Sequence, residues 1–296
     1  MATPIGSRIA GAPISWGVCE VPGWGYQLRP ETVLTQMREV GLAATEFGPE
    51  GFLPDTSADK ASTLAGHGLK AVGQFVPVVL HDASVDPLPT VDAAMSGLTA
   101  AGASTVVLAA ATGQDGYDER PVLDDPGWAT LLANLDRINA AARDRGLVAT
   151  LHPHVGTMIE SGEETERVIG GCAIGICLDT GHLVIGGGDP VSLAQAHPDR
   201  IVHCHLKDVH LDWARKVQSG AASYTDAVAA GMYAPLGHGD VDIAGIIRAL
   251  ESAGYDGWYV LEQDTVLAGA PADTGVDPRA DVRTSLEFVR RAGGGQ

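Results

Sequence analysis

Histidines and carboxylates stand at the ends of several short apolar runs in this 296-residue chain. The stretch ATLHPHVGT, residues 149–157, places His152 and His154 at the end of one such run. Acidic or imidazole side chains also stand at the ends of comparable runs, and these include Glu46 in ATEFG, Asp179 in CLDTGH, His205 in HCHLKD and Glu262 in VLEQD. Carboxylate and imidazole groups together bind divalent transition metals such as Mn²⁺, Co²⁺, Zn²⁺ and Fe²⁺, and they leave positions open for a substrate. Taken singly, each residue also has a structural interpretation, as a helix cap or as a satisfied core histidine.

The elements that would bring these residues together form an alternating pattern. Eight β-rich apolar runs cover residues 9–16, 44–48, 70–78, 104–110, 147–154, 174–182, 201–208 and 258–264. Amphipathic helical segments lie between and after them, and the clearest cover residues 30–41, 128–146, 242–257 and 280–294. Eight strands alternating with eight helices predict an α/β protein, a single (β/α)8 TIM barrel domain that spans residues 1–296. A doubly wound sheet is less favoured, because SWGVCEVPGWG after the first strand is not a glycine-rich phosphate loop.

In a barrel the active site lies at the carboxyl ends of the strands, so the direction of each terminal side chain matters. Successive strand residues point to opposite faces, and Leu151 suits the helix-facing side. His152 and His154 then both point into the mouth of the barrel. The same alternation directs other polar residues inward, and these are Glu46, Asp179, His203, His205, Lys207 and Glu262. Buried carboxylates and imidazoles are costly unless they are paired or bind a cation, so their convergence predicts a metal site.

Overall composition limits the expected partners and location. The chain carries 19 Lys and Arg against 37 Asp and Glu, a formal net charge of −18. Such a surface repels the phosphates of nucleic acids and anionic membranes, so neither is an expected partner. No apolar run reaches the roughly 20 residues needed to span a bilayer, and the first residues lack the pattern of a signal peptide. The four cysteines form no CxxC pair, which indicates buried thiols and a cytoplasmic protein.

One long connection, residues 209–240, separates the last two predicted strands. It carries Trp213, Tyr224, Met232 and Tyr233 among polar residues. Such a segment can form a lid that excludes water from a substrate, or it can form a contact between subunits. The residue pattern leaves both interpretations open.

Several of these stretches together resemble the xylose isomerase-like barrel superfamily of sugar phosphate isomerases and epimerases. They are APISWG, TEFGPEGFLP, LHPHVGT, CLDTGH, HCHLKDV and PLGHGDVDIAGIIRALESAGYDGWYVLEQD, and they lie between residues 9 and 265. TEFGPEGFLP and HPHVGT are most similar to the inosose (2-keto-myo-inositol) dehydratases of inositol catabolism. The resemblance implies a metal-dependent TIM barrel enzyme that acts on a small polyol or keto-sugar.

The metal site of this superfamily typically consists of Glu, Asp, His and Glu from strands five to eight. Asp179, His205 and Glu262 match three of these positions, whereas His152 stands where the strand-five glutamate is typical. The resemblance therefore implies a metal site of His152, Asp179, His205 and Glu262. It favours Mn²⁺ or Co²⁺, with Zn²⁺, Fe²⁺ and Mg²⁺ as other candidates. It also implies a homo-oligomer, because barrels of this family are often dimers or tetramers.

The strand-five histidine also bears on the reaction. Epimerases of the superfamily place two glutamates around the substrate as a paired acid and base, and the absence of one favours elimination of water here. In the implied reaction a base, Glu262 or His154, removes the proton next to the carbonyl, and an acid, His182 or His154, protonates the leaving hydroxyl. Lys207 neutralises developing negative charge, and Glu46 hydrogen-bonds substrate hydroxyls. Glu46, His182 and Lys207 are thus the predicted substrate contacts.

Three other functions are compatible with the same residues. The first is a metal-dependent keto-sugar epimerase or isomerase, which the absent strand-five glutamate disfavours. The second is the barrel subunit of a C-glycoside deglycosidase, which a copurifying partner chain would favour. The third is a barrel that only binds a sugar or supports an assembly. Intact Asp179, His205 and Glu262 disfavour it, because a simple binding protein has no need of costly buried polar groups.

Overall fold

The computed structural model describes residues 3–114, 116 and 120–294. Within these ranges the backbone forms eleven strands, which are β1 (Ile9–Gly11), β2 (Ala44–Thr45), β3 (Lys70–Ala71), β4 (Gly73–Val79), β5 (Thr105–Ala111), β6 (Val148–Leu151), β7 (Gly175–Asp179), β8 (Ile201–Leu206), β9 (Asp208–Val209), β10 (Tyr233–Ala234) and β11 (Tyr259–Leu261). The same ranges contain twelve α-helices, which are α1 (Pro30–Val40), α2 (Ser57–Gly66), α3 (Leu88–Ala100), α4 (Asp125–Asp144), α5 (Gly162–Gly171), α6 (Thr180–Ile185), α7 (Pro190–Ala196), α8 (Leu211–Gln218), α9 (Tyr224–Ala229), α10 (Ile243–Ser252), α11 (Pro271–Thr274) and α12 (Pro278–Ala292). No helix in this described part combines the length and the hydrophobicity that a bilayer span requires.

Nine of the described strands form one parallel sheet, in the order β3-β2-β1-β11-β8-β7-β6-β5-β4. Its two edge strands, β3 and β4, are successive pieces of one stretch that is interrupted at Val72. The amide of Val72 donates to the carbonyl of Thr45 in β2 (3.0 Å), and its carbonyl accepts from the amide of Thr105 in β5 (3.2 Å). These two bonds close the sheet into a barrel. The predicted TIM barrel is confirmed, and the third predicted strand, residues 70–78, is found in two pieces.

Local sequence signals set the ends of the helices. Pro30 begins α1, because its fixed φ suits a first helical turn, and Gly41 ends it at a φ of +94°. The buried residues of α1 follow helical spacing and are Val33, Leu34, Met37 and Val40. Helix α4 begins at Asp125 rather than at residue 128, because the Asp124 side chain accepts a hydrogen bond from the amide of Gly127 (2.8 Å).

The apolar core between strands and helices leaves the opposite face of each strand for the barrel interior. Ile174, Ile176 and Leu178 each expose 1% of their surface or less and belong to this core. Asp179 has the opposite parity in β7 and is equally buried. It therefore points into the barrel, as the period of two in a strand requires.

The long connection at residues 209–240, here named the cover segment, packs across the barrel mouth. It contains α8 and α9, and its strand β10 pairs antiparallel with β9. Its apolar residues cluster with Trp24, Val155 and Ile185, which follow β1, β6 and β7 along the chain. Since those loops leave the carboxyl ends of barrel strands, the cover segment has the position expected of a lid.

Candidate metal and active site

Asp179 ends β7 and also caps the helix that follows it. Its Oδ1 accepts hydrogen bonds from the amides of Gly181 (2.9 Å) and His182 (2.8 Å) in α6. Its Oδ2 lies 3.2 Å from Nε2 of His152. A β-carbon at position 181 would lie 2.7 Å from Cβ of Lys207, so this turn requires glycine. The helix-cap and ligand interpretations of Asp179 are compatible, because each uses a different oxygen.

The four predicted metal ligands, here named the donor cluster, meet at the carboxyl ends of β6, β7, β8 and β11. In addition to the contact between His152 and Asp179, Nδ1 of His205 lies 3.8 Å from Oδ2 of Asp179. The same Nδ1 lies 2.5 Å from Oε2 of Glu262. One ligand atom from each of His152, Asp179 and His205 lies within 4.8 Å of the other two. These three residues each expose 1% of their surface, and the side chain of Glu262 exposes 14%.

The donor cluster has the unsatisfied atoms that a cation would bind. No described residue makes a hydrogen bond in good geometry to the buried atoms His152 Nε2, Asp179 Oδ2, His205 Nδ1 and Glu262 Oε2. A buried polar atom without a partner costs about 1–3 kcal/mol. A divalent ion that accepts a lone pair from each atom would remove these costs together. Asp179 and two imidazoles lie close enough together for one divalent metal ion, the Glu262 carboxylate lies beside His205, and this type of ligand set is one that several first-row ions accept.

His152 continues the hydrogen bonding of β6, since its amide donates to the carbonyl of Leu108 in β5 at 2.7 Å. Burial, followed by the neighbouring His205 and His154, lowers the pKa of His152 well below its usual value. The imidazole is therefore neutral near pH 7, which is the form that binds metals.

Glu46 follows β2 and contacts two histidines of β8. Its Oε1 accepts hydrogen bonds from Nε2 of His203 (2.8 Å) and from Nε2 of His205 (3.1 Å). Burial raises the pKa of Glu46, but the charge of His205 and the hydrogen bonds from both rings outweigh burial and lower it below its usual value. The alternation of residues in β8 predicted that His203 points into the barrel but assigned it no function. In the structure its ring donates a hydrogen bond to the carboxylate of Glu46.

Lys207 has a partner that the residue pattern did not reveal. Its Nζ donates to Oδ1 of Asp264 at 2.6 Å and lies 3.6 Å from both Asp179 and Glu262. Burial lowers the pKa of Lys207, but these three carboxylates outweigh burial and raise it well above its usual value, so the amine is charged. Asp264 also accepts a hydrogen bond from the hydroxyl of Tyr224 (2.6 Å), which ties the cover segment to the site. The sequence did contain a clue to this contact, because Asp264 lies two residues after Glu262 in VLEQD and so is expected to point to the same side of the strand.

His154 and His182 stack with their ring centroids 3.8 Å apart. The Nδ1 of His154 donates to the carbonyl of Val155 (2.7 Å), because a carbonyl oxygen can only accept, and its proton-accepting nitrogen is therefore Nε2. The Nε2 of His182 lies 3.0 Å from Nζ of Lys207 and accepts its hydrogen bond. Burial and then Lys207 lower the pKa of His154, and burial and then His154 lower that of His182. Both rings are thus neutral.

A cleft of about 600 Å³, part of it open to solvent, contacts these groups. Its polar lining includes Glu46, His152, His154, Lys207, Glu262 and Asp264. Its apolar and aromatic lining includes Ile14, Val18, Trp24, Phe75 and Tyr224. Apolar walls with a few convergent polar groups suit a small ring with hydroxyl substituents. His182 is not among the described residues that line the cleft, and it meets the site through His154 and Lys207.

Sequence comparisons match most of the chain to known proteins. A family model described as xylose isomerase-like TIM barrel matches residues 34–292. The chain is similar to the rhizopine catabolism protein MocC of Rhizobium meliloti, with 34% identity over 87% of this chain and 81% of that protein. It is also similar to an inosose dehydratase of Geobacillus kaustophilus, with 31% identity over 88% of this chain and 89% of that protein.

Solved structures share the fold at lower identity. One is the IolI protein with a bound zinc atom, with a TM-score of 0.69 and 14% identity over 97% of this chain and 98% of that one. Another is the 3-keto-D-glucoside 4-epimerase YcjR from E. coli, with a TM-score of 0.67 and 17% identity over 96% of this chain and 99% of that one. At these identities the likeness shows the barrel fold alone.

Proposed function

Because the chain belongs to the xylose isomerase-like TIM barrel family, we propose that it is a metal-dependent carbon–oxygen lyase. In this proposal it eliminates water from a cyclic keto-polyol such as 2-keto-myo-inositol, in inositol catabolism. The similarity to proteins named inosose dehydratase supports this substrate class. The observation that carries the proposal is the neutral His154, which lines the same cleft as Glu262 of the donor cluster.

The donor cluster would hold the divalent ion through His152, Asp179, His205 and Glu262. When bound, the ion would supply a Lewis acid that stabilises negative charge on the carbonyl oxygen of the substrate. The four buried atoms without hydrogen-bond partners among the described residues support this assignment. Among the ions that accept such ligands, we favour Mn²⁺ or Co²⁺.

We assign removal of the proton next to the carbonyl to His154 rather than to Glu262. The hydrogen bond of His154 to Val155 leaves Nε2 as the accepting atom, and its lowered pKa keeps that atom unprotonated near pH 7. Burial raises the pKa of Glu262, but His205 and Lys207 outweigh burial and lower it, which weakens the carboxylate as a base. Glu262 also has Oε2 within the donor cluster.

The elimination needs no second substrate, because every electron pair and proton that it moves comes from one substrate molecule. The electron pair of the broken C–H bond forms the carbon–carbon double bond, and the C–O bond to the β-hydroxyl breaks. Protonated His154 returns its proton to that hydroxyl, which leaves as water. Lys207, charged and lining the cleft, neutralises the negative charge that develops. Glu46 contacts substrate hydroxyls, and His182 supports both His154 and Lys207.

An ultraviolet assay tests the proposal. Chelated protein is reloaded with Mn²⁺ or Co²⁺ and mixed with 2-keto-myo-inositol. We expect an absorbing enol-dione only in the metal-loaded sample, and its loss in Glu262→Gln. Metal binding without this product would overturn the substrate assignment. Hydrogen exchange at the α-carbon in heavy water without loss of water, followed by NMR, would instead identify a keto-sugar epimerase or isomerase.

We further propose that the protein is a cytoplasmic homo-oligomer. The cysteines Cys19, Cys172, Cys177 and Cys204 are free thiols, which supports a reducing compartment. Size-exclusion chromatography with light scattering gives the mass of the purified species, and a monomer would contradict the oligomer. A second, different chain in the same peak would support a deglycosidase subunit.

A further inference from the structure

The backbone amide and the backbone carbonyl of Glu46 are both hydrogen-bonded, and its side chain lies next to two histidines of β8. Its amide donates to the carbonyl of Gly11 (3.0 Å), and its carbonyl accepts from Oγ1 of Thr45 (2.8 Å). A β-carbon at Gly73 would lie 3.1 Å from both Oε1 of Glu46 and the carbonyl oxygen of Thr105, so the glycine leaves room for the carboxylate. Glu46 itself exposes 4% of its surface. The carboxylate therefore has little freedom to move.

The two hydrogen bonds of Glu46 place a proton on Nε2 of both histidine rings, which leaves Nδ1 of His205 as the nitrogen that can bind a cation once it carries no proton of its own. A carboxylate oxygen only accepts, so Nε2 of His203 and Nε2 of His205 both donate to Oε1. His205 then turns Nδ1 toward the donor cluster, 2.5 Å from Oε2 of Glu262. The opposite tautomer, with the proton on Nδ1, would place a hydrogen where a cation has to bind.

We propose that Glu46 is a positioning residue that holds the ring and the tautomer of His205 for metal binding, in addition to any contact with substrate. His203 shares the same carboxylate oxygen and keeps it in place. Metal-ligating histidines commonly donate their second ring nitrogen to a carboxylate, and loss of that partner typically weakens metal binding 10–100-fold. The inference rests on the metal site of the proposed function and not on the reaction.

The same three residues could be taken for a second cation site, because Glu46, His203 and His205 also bring ligand-type atoms within 4.8 Å of one another. The observed contacts disfavour that interpretation. Both Nε2 atoms lie at hydrogen-bond distance from one carboxylate oxygen, so the protons of the rings occupy the space between them. The chain should therefore bind one divalent ion rather than two.

Titration calorimetry with Mn²⁺ on chelated full-length protein tests the positioning role without any substrate. We expect one Mn²⁺ per chain in the unaltered protein. In Glu46→Ala we expect affinity to fall by about 10–100-fold, and in Glu46→Gln by less, because the amide oxygen still accepts a hydrogen bond. Glu50→Gln is the matched control, since Glu50 is an exposed carboxylate in the same loop that pairs with Lys60, and it should leave the affinity unchanged.

A positioning role also predicts how activity responds. In Glu46→Gln the kcat should rise as the Mn²⁺ concentration is raised, because excess metal compensates for weaker binding, whereas loss of a substrate contact would not respond to added metal. A raised KM for substrate with unchanged Mn²⁺ affinity would overturn the inference and leave Glu46 as a substrate contact only.

Two Mn²⁺ per chain, with one lost in His203→Asn, would overturn it in favour of a second cation site. If the unaltered protein binds no Mn²⁺, the metal site of the proposed function is wrong as well. If the protein binds Mn²⁺ but does not dehydrate the substrate, the proposed reaction is wrong and the proposed metal site stands.

Discussion

His152 and His154 are two residues apart, yet their rings are held in different ways. His152 directs Nε2 toward Asp179, 3.2 Å away, inside the donor cluster. His154 donates from Nδ1 to the carbonyl of Val155, and its own amide donates to the carbonyl of Ile159 at 2.9 Å. Because His154 lies in the turn after β6, it reaches the cleft beside the donor cluster. The pair therefore divides into one ligand and one proton carrier in the proposed reaction.

Substitution of each histidine should separate these two roles. His154→Asn should lower kcat by about 10²–10⁴-fold with little change in Mn²⁺ affinity, because general base catalysis contributes a factor of this size. His152→Ala should instead weaken Mn²⁺ binding, since the donor cluster loses one of its four ligands. The ultraviolet assay and calorimetry measure the two quantities independently. A His154→Asn variant with unaltered kcat would exclude His154 as the base.

At the scale of elements, the cover segment is joined to the barrel by a chain of hydroxyl and carboxylate groups. Tyr233 lies on β10, and its hydroxyl is 3.0 Å from that of Tyr224 at the start of α9. Tyr224 in turn donates to Asp264, which follows β11 and holds Lys207. The segment is therefore connected to a charged group of the cleft.

Tyr224→Phe should lower the free energy of unfolding by about 1–2 kcal/mol, because a buried carboxylate oxygen of Asp264 loses a hydrogen-bond donor. Tyr233→Phe is the matched control. It leaves the bond between Tyr224 and Asp264 in place and should cost less. Urea unfolding of the two variants gives the comparison, and equal losses would contradict the assigned importance of the Asp264 contact.

Helix α5 begins with a capping box that contains an ionisable carboxylate, Glu164. Ser161 accepts from the amide of Glu164, and the carboxylate of Glu164 accepts from the amide of Ser161 (2.9 Å) and from Arg120 (2.7 Å). Burial raises the pKa of Glu164, but the hydrogen bonds from Arg120 and from the backbone amides of Ser161 and Glu160 outweigh burial and lower that pKa. The ionised carboxylate is therefore favoured by the folded state.

A carboxylate whose pKa is lower in the folded state contributes stability above its unfolded pKa, and that stability is lost as the pH falls through the folded pKa. Glu164→Gln should therefore destabilise the protein near pH 7, and the difference from the unaltered protein should shrink in acid below the ordinary value of 4.5. Urea unfolding at several pH values measures this difference. A difference that stays constant with pH would show that the charge of Glu164 does not stabilise the helix.

At the scale of the whole molecule, the first and last barrel strands are fastened at the end opposite to the site. Arg8, just before β1, makes two 2.8 Å contacts with the carboxylate of Glu251 in α10 and donates to the carbonyl of Gly257 at 3.0 Å. The hydroxyl of Tyr259 in β11 donates to the same carboxylate at 2.9 Å. Closure of the barrel thus brings together residues more than 240 positions apart along the chain.

Arg8→Met should lower the free energy of unfolding by about 1–3 kcal/mol, because it removes charge-assisted hydrogen bonds and leaves Glu251 without its cation. Arg279→Met is the matched control, since Arg279 pairs with Asp277 and Glu39 through side chains that are 38% to 50% exposed. That surface change should cost less than about 1 kcal/mol. Chemical unfolding of the two variants measures both effects, and similar losses would contradict a special role for the partly buried pair of Arg8 and Glu251.

Much of the barrel and of the candidate site was predictable because the signals are local. Alternation with a period of two places His203 and His205 on one face of β8 whatever the partner strands are. The order of strands and helices predicts a barrel, and a barrel predicts that strand ends share one mouth. In this way the amino-acid sequence alone determined which residues would gather at the carboxyl ends of the strands.

Which atoms meet at that mouth was decided only by the tertiary structure. The register between β7 and β8 pairs Asp179 with His205, and the interruption of the third strand at Val72 completes the ring of strands. The contact of Glu46 with His205 and that of Lys207 with Asp264 follow from such registers, and they join residues 159 and 57 positions apart in the chain. No local pattern specifies a register between distant strands, because it depends on how all the strands and helices pack together.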